Sequence, residues 1–258
     1  MSQALLEARA LGVSVPGRAL VAGFDAEFRA GEFVAVLGGN GTGKSLLLRT
    51  LAGLRAADAG VVRLDGSDLG TQPRRHVATR LGFLPQDPDA PPQGSLFESV
   101  LLGRFAHLGF WENSGADDHH RARAALADVG LDALDARELA TLSGGEQRRA
   151  AIARLLVQAP AVYLLDEPTN HLDPAQQLAI LGHLHRLTRS GAAVVASLHD
   201  PNLALRFADR VLLMSGTSEV ADLRCDALLP AHLARLYGID YLETRVGALR
   251  FMAPADNR

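Results

Sequence analysis

Two hydrophobic periods share this chain, and where each occurs predicts the elements. Short apolar runs bounded by turn residues come first. Residues 5–11 and 24–28 predict short strands leading to a turn at Gly31, and residues 33–37 are an apolar stretch of strand length. After a glycine-rich loop, residues 46–52 predict a helix with Gly53 as its stop. Residues 60–66 form a strand between glycines, which suggests a small antiparallel layer, and residues 81–86 a further short strand broken at Pro85. From there to Pro160 no strand pattern occurs. Residues 87–94 shift to Pro, Asp and Gln and predict an exposed loop or linker. Ser95 and Glu98 read as a capping box opening a helix to about Gly103. Residues 105–115 are irregular and hold Phe110 and Trp111; residues 117–129 predict a helix stopped by Gly130; Ser143 caps another. Strand and helix then alternate again: a strand at 162–166, a helix from Asp173 and Pro174 to about Ser190, a strand at 193–197, a short helix at 202–207 and a strand at 210–214. The tail predicts one helix near 230–237 and two edge strands. This order is that of an α/β domain carrying a helical insert.

Composition narrows the class. Within 258 residues, 48% hydrophobic and 21% charged content suits a globular chain with a sizeable core. A net charge of −3 gives no electrostatic case for a nucleic-acid partner. One cysteine, Cys225, excludes an internal disulfide or a cysteine metal cluster and reads as a packed thiol. Residues 1–12 carry Glu7 and Arg9 and do not predict a signal peptide, and no run approaches the ~20 apolar residues of a membrane helix.

The chemistry concentrates in the glycine loop. Gly38-Gly39-Asn40-Gly41-Thr42-Gly43-Lys44-Ser45 reads G-x-x-x-x-G-K-S, between a predicted strand and a predicted helix. Glycines let backbone N–H groups turn in on phosphate oxygens, and the helix N-terminus adds partial positive charge. Lys44 is the only lysine; the other 25 of the 26 basic residues are arginine. A compact ammonium is thus kept at this one position. Such a loop needs a metal partner: Ser45 offers a hydroxyl, and Asp166, at the end of an apolar strand, a carboxylate. Glu167 follows, so one carboxylate can serve metal and the next an attacking water. Ser143, Gly144 and Gly145 open a helix whose bare N–H groups make a second anion site.

Taken together these residues resemble the ATP-binding cassette (ABC) ATPases, the nucleotide-binding subunits of ABC transporters. The family's motifs stand in order: the phosphate loop at 38–45, Gln86 at the start of the insert, the signature Leu142-Ser143-Gly144-Gly145-Glu146-Gln147, the second nucleotide motif ending in Asp166-Glu167, the loop Thr169-Asn170-His171-Leu172-Asp173, and the switch histidine His199. The resemblance covers about residues 5–221. It implies a P-loop NTPase fold of the ABC type: a RecA-like α/β core, an N-terminal antiparallel β layer and an inserted α-helical subdomain. Residues 1–225 would form the ATPase domain, with the subdomain at about 87–160, and residues 226–258 a short C-terminal extension. It further implies a head-to-tail dimer enclosing ATP between the phosphate loop of one copy and the signature of the other. In that arrangement Lys44 and the loop amides hold the β- and γ-phosphates, Ser45, Gln86 and Asp166 hold Mg²⁺, and Glu167 is the general base. His199 contacts the γ-phosphate and orients the water, Ser143, Gly145 and their neighbours Gly144 and Glu146 act on the partner's ATP, and Asp173 links the two sites.

Two departures from the family pattern stand out. The adenine-stacking aromatic is replaced by Val15, with Arg18 as a substitute that could lie over the ring. The signature has Glu146 where glutamine is commoner, a negative charge that the helix start tolerates. The stretch Leu102-Gly103-Arg104-Phe105-Ala106-His107-Leu108-Gly109, with the motif from Glu167 to Asp173, resembles the metal-chelate import group: ferric siderophore, haem and cobalamin transporters with molybdate relatives. That places the chain at the cytoplasmic face of the inner membrane, beside a separate permease and, indirectly, a substrate-binding protein. Phe97, Phe105, Phe110 and Trp111 are candidates to line the groove for a permease helix. A soluble ABC ATPase without a transport role, of the iron–sulfur assembly type, stands as the alternative.

Overall fold

The computed structural model describes residues 4–86, 94–109 and 112–255. Strands β1 (Ala4–Val15) and β2 (Arg18–Arg29) form an antiparallel hairpin, each twelve residues long. They run well beyond the short strands the apolar pattern predicts. The pairing slips register between Ala8 and Leu11, where Ala10 adopts φ 47° and its N–H is taken by Asp25 Oδ1 at 2.9 Å. Such a bulge interrupts the period-two pattern without ending the strand. Strand β3 (Phe33–Gly38) follows, buried throughout, and leads into helix α1 (Lys44–Leu51), which starts two residues before the predicted helix. Strands β4 (Ala59–Leu64) and β5 (Ser67–Asp68) complete a four-stranded antiparallel layer in the order β2-β1-β4-β5. Helix α2 (Arg74–Arg80) has no counterpart in the sequence expectations, because only Val77 along it is buried and it therefore shows no apolar stripe.

Strand β6 (Leu81–Leu84) ends at Pro85, as its sequence predicts. Helices α3 (Leu96–Leu101), α4 (Ala116–Asp128) and α5 (Gly144–Gln158) follow, joined by turns. Ser95 and Glu98 make the expected capping box on α3. Among the described residues of this stretch the only strand-like pairing is a single bridge between Ser95 and Glu138. The loop predicted at residues 87–94 lies, apart from Gly94, outside the described residues, as do Phe110 and Trp111.

Strand β7 (Val162–Leu165), helix α6 (Pro174–Arg189), strand β8 (Ala193–Ser197), helix α7 (Pro201–Phe207) and strand β9 (Arg210–Met214) restore the α/β alternation. Asp173 caps α6 by accepting the Gln176 N–H at 2.8 Å, with Pro174 in the first turn. Strand β10 (Val220–Arg224), half exposed and antiparallel to β9, escapes the apolar pattern for the same reason as α2. The central sheet has the order β10-β9-β3-β8-β7-β6, parallel from β9 to β6. Its central strands are buried on both faces: Phe33, Ala35 and Leu37 point to the helical side with Val194 and Ala196, while Val34 and Val36 point to the antiparallel layer with Ala193 and Val195. Leu96, Val100, Ala122, Leu126, Ile152 and Leu155 of α3, α4 and α5 belong to the first of these cores. The tail packs there too. Helix α8 (Pro230–Tyr237) and the hairpin β11 (Tyr241–Val246) and β12 (Leu249–Pro254) contribute Leu233, Leu236 and Met252. Cys225 is buried in the same cluster, and burial pushes its thiol up to about 11, as the packed-thiol reading expects. No helix among the described residues is long and apolar enough to cross a membrane.

Candidate active site

Parallel strands all deliver their C-terminal ends to one edge of the sheet, and the crevice outside that edge is where ligands bind in open α/β folds. Here β3, β6, β7 and β8 bring the glycine loop, Gln86, Asp166-Glu167 and His199 to the same edge. The loop leaves β3 at Gly38, where a side chain is impossible: a Cβ would lie 2.6 Å from Met214 O and 2.8 Å from Thr42 Oγ1. Thr42 braces the turn by donating to Gly39 O at 2.9 Å. Gly43 takes φ 102° as the N-cap of α1, so the cap is backbone alone and the first N–H groups of the helix stay open to an anion. Lys44 is buried, with Nζ donating to Gly38 O at 2.9 Å and Gly39 O at 3.1 Å. Burial pushes its ammonium below the ordinary lysine value, while Glu167 and Asp166 pull the other way.

The carboxylates at the end of β7 are almost fully out of water, at 1% exposure for Asp166 and 5% for Glu167. Ser197, the last residue of β8, ties them together. Its Oγ donates to Asp166 Oδ1 at 2.8 Å and accepts the Glu167 N–H at 2.8 Å. Asp166 Oδ2 is buried with no hydrogen-bond partner among the described residues. A buried oxygen left over in this way signals a missing cation or water. Ser45 and Gln86 line the cleft that Glu167 enters; with Asp166 they offer hard oxygens, suited to a small cation that keeps waters and phosphate oxygens in its shell. Glu167 sits at φ 51°, a left-handed conformation that is strained for a side chain of its size. That turn carries its carboxylate into the cleft, where Oε1 meets His199 Nε2 at 2.8 Å and Oε2 accepts from Asn170 Nδ2.

These groups line one cleft of about 640 Å³. Asn40, Gly41, Gly43, Lys44 and Ser45 form one wall, and Gln86, Glu167, Asn170 and His199 another. Val15 and Arg18 also line it, so both residues singled out for the base reach the cleft. Arg18 donates to Gly216 O at 2.8 Å, which anchors its guanidinium there. Ser143, Gly144, Gly145, Glu146 and Asp173 do not line it. They lie on the surface at the start of α5 and α6. Ser143 and Glu146 close a capping box: Ser143 N and Oγ both donate to Glu146 Oε2 at 2.7 Å, and the box holds the Glu146 carboxyl below its ordinary range. The unusual glutamate of the signature therefore caps the helix. Gly145 is packed so closely under the next loop that a Cβ would stand 3.0 Å from His171 O.

Two contributors were invisible in the motif pattern. Ser197 reads only as the polar end of an apolar strand. Arg148 reads as one of three arginines on a helix, yet it is 3% exposed and donates to the carbonyls of Pro85, Gln86, Asp166 and Glu167. Of the expected groove aromatics, Phe105 is 77% exposed beside a separate apolar groove of about 750 Å³. Phe97 does not line that groove: it packs edge-on to His119 with Arg123 over its ring, because its helix turns that face toward α4.

A family model described as "ABC transporter" matches residues 21–170. The hemin import ATP-binding protein HmuV of Rhodopseudomonas palustris is 42% identical over 225 residues, covering 84% of this chain and 81% of that protein. The protein of the same description from Bradyrhizobium diazoefficiens is 36% identical over 264 residues, covering 99% and 96%. Among solved structures, a metal-chelate type ABC transporter in an inward-facing conformation superposes with TM-score 0.83 at 27% identity, covering 99% of each chain. A dimeric ATP-binding cassette bound to ADP and Pi in a post-hydrolysis state matches with TM-score 0.76 at 26% identity, covering 86% of this chain and 100% of that one.

Replacing Ser197 by Ala should strand Asp166 Oδ1 and the Glu167 N–H together. Each buried polar group left unpaired costs about 1–3 kcal/mol, so urea unfolding should show a loss of at least about 1 kcal/mol. Unchanged stability would mean that the serine bridge does not hold this end of β7.

Proposed function

The chain belongs to the ABC transporter family, and from that membership we infer that it is the ATP-hydrolysing subunit of an importer for haem or a related metal chelate. What carries the catalytic half of this reading is one observation: a phosphate loop and a Glu–His pair at 2.8 Å share one cleft, and the residue before that glutamate, Asp166, keeps a buried oxygen to spare. What supports the cargo is the printed function of the relatives, hemin import, and the full-length likeness to a metal-chelate type transporter.

The roles are those that the family resemblance implies, and the geometry is compatible with them. The amides of the loop and Lys44 bind the β- and γ-phosphates of ATP; on binding, Nζ exchanges the carbonyls of Gly38 and Gly39 for phosphate oxygens. Val15 and Arg18 meet the base end, and the missing aromatic stack is worth only about 0.5–1.5 kcal/mol. Ser45, Gln86 and Asp166 would hold Mg²⁺, which when bound neutralises charge on the phosphates. Glu167 takes the proton of the attacking water. A carboxylate has about four lone-pair sites, so bonds to His199 and Asn170 leave room for that water. His199, 45% exposed, orients it against the γ-phosphate.

The signature residues do not reach this cleft, and their place is the ATP of a second copy: Ser143 and Gly145 meet its γ-phosphate, Gly144 and Glu146 shape the helix start, and Asp173 bridges the two sites. Relatives of this fold are dimeric. The permease partner fits the apolar groove, which opens between the ends of α2 and α5 next to Pro85 and has Leu102, Phe105 and Leu108 on its wall. The chain would then sit peripherally on the cytoplasmic face of the inner membrane, with a substrate-binding protein delivering cargo from the other side.

Glu167→Gln should lower turnover by several orders of magnitude while ATP stays bound and a stable dimer accumulates, whereas Lys44→Ala should lose ATP binding itself. Hydrolysis assays with nucleotide binding and size-exclusion chromatography separate the two; normal turnover by the first variant would contradict the base assignment. Phe105→Asp changes a surface residue, so it should keep ATPase activity yet no longer co-purify with a co-expressed permease. A wild-type chain that binds no permease and supports no ATP-driven haem uptake in vesicles would favour a non-transport ATPase instead.

A further inference from the structure

We infer that Arg148 is a positioning residue that couples the signature helix to the catalytic carboxylate of its own chain; this rests on the two-copy reading above. Arg148 lies five residues past Ser143, in the second turn of α5. Its guanidinium is 3% exposed and splits between two strand ends. Nη1 donates to Pro85 O at 2.5 Å and Gln86 O at 3.0 Å. Nη2 donates to Asp166 O and to Glu167 O, the latter at 2.8 Å. Those carbonyls leave β6 and β7, which run side by side in parallel, so one planar fork spans both exits.

Among the described residues Glu167 O also accepts the Asn170 N–H at 3.2 Å, while the carbonyls of Pro85, Gln86 and Asp166 take their donors from this fork. Beyond Leu84 and Leu165 the sheet ladder has stopped, and Glu167 turns left-handed at φ 51°, which points its backbone away from any strand partner. Buried carbonyls without a donor are unfavourable. Arg148 supplies the donors from α5, the helix whose N-terminus is the signature. A shift of α5, as its first turn engages the γ-phosphate held by the other copy, therefore moves the backbone that carries Gln86 and Glu167. In this way ATP bound at one site sets the catalytic geometry at the other. Coupling of this kind requires two sites and an element that both bias; α5 with Arg148 is that element. A lysine could not replace it, because one ammonium lacks the fixed fork that holds two carbonyl pairs.

The test compares wild type, Arg148→Lys and Arg148→Gln in ATP hydrolysis against ATP concentration, in fluorescent-ATP binding to the monomer, and in thermal unfolding. Wild type should be cooperative, with a Hill coefficient approaching about 2 for two sites. Both variants should bind nucleotide as monomers within about twofold of wild type, while the Hill coefficient falls toward about 1 and kcat drops by roughly 2- to 30-fold. Arg148→Lys, which keeps the charge and the stem, carries the same readings if Arg148→Gln does not fold. Wild-type kcat and cooperativity in Arg148→Lys would overturn the coupling role. So would a parallel fall of monomer nucleotide affinity, kcat and melting temperature in both variants, which marks a simple brace. Non-cooperative hydrolysis by the wild type itself would sink the two-copy reading on which the inference rests.

Discussion

The cleft depends on keeping two consecutive carboxyl groups, Asp166 and Glu167, almost wholly out of water at the end of a buried strand. An ionised carboxylate taken from water costs several kcal/mol unless bonds and opposite charge surround it. Each neighbouring feature answers that constraint. Ser197 bonds both residues from the next strand. Lys44, the only lysine in the chain, brings the nearest compact positive charge, and the two carboxylates in turn favour its charged form against burial. His199 and Asn170 occupy the Glu167 oxygens. One buried oxygen of Asp166 remains without a hydrogen-bond partner among the described residues.

The same constraint explains the arrangement of layers. A five-strand parallel stretch with both faces covered leaves only its C-terminal edge open, so the loops after β3, β6, β7 and β8 must meet there. The helical segment shares the core beneath one face of the sheet, and Arg148 extends that packing into the hydrogen bonds of the cleft. The segment thus carries two surfaces on one packed unit: an apolar groove on one side and the exposed start of α5 on the other. An ATPase that drives transport needs both surfaces on one rigid body.

The motif residues were legible because the chemistry of phosphate and metal restricts residue type at fixed spacing. Gly38 to Ser45 needs glycines and an ammonium in any order of folding, and Asp166 needs an apolar strand before it. Glycines and capping residues likewise disclosed most boundaries, including Ser95, Asp173 and Gly191. What stayed hidden was tertiary. Ser197 and Arg148 act only after β8 and α5 have been placed against β7, and neither lies in a pattern that specifies its partner. Exposed elements such as α2 and β10 lacked the periodicity that burial imposes, and the bulge at Ala10 disguised the length of the first hairpin. In the sequence Glu146 reads only as a charge near a helix start; its bonds to Ser143 make it the second half of a capping box.

The central claim is that each catalytic site is completed by a second copy. Mixing two inactive variants tests it most directly: Lys44→Ala, which spoils the phosphate loop, and Ser143→Arg, which spoils the signature. Neither alone can build a working site in a head-to-tail pair. A mixed pair keeps one site whole, made of the intact loop of the Ser143→Arg chain and the intact signature of the Lys44→Ala chain. The account predicts that each variant is inactive by itself and that mixing restores ATP hydrolysis. Full activity in Ser143→Arg alone, or no recovery in mixed dimers shown to form, would contradict it.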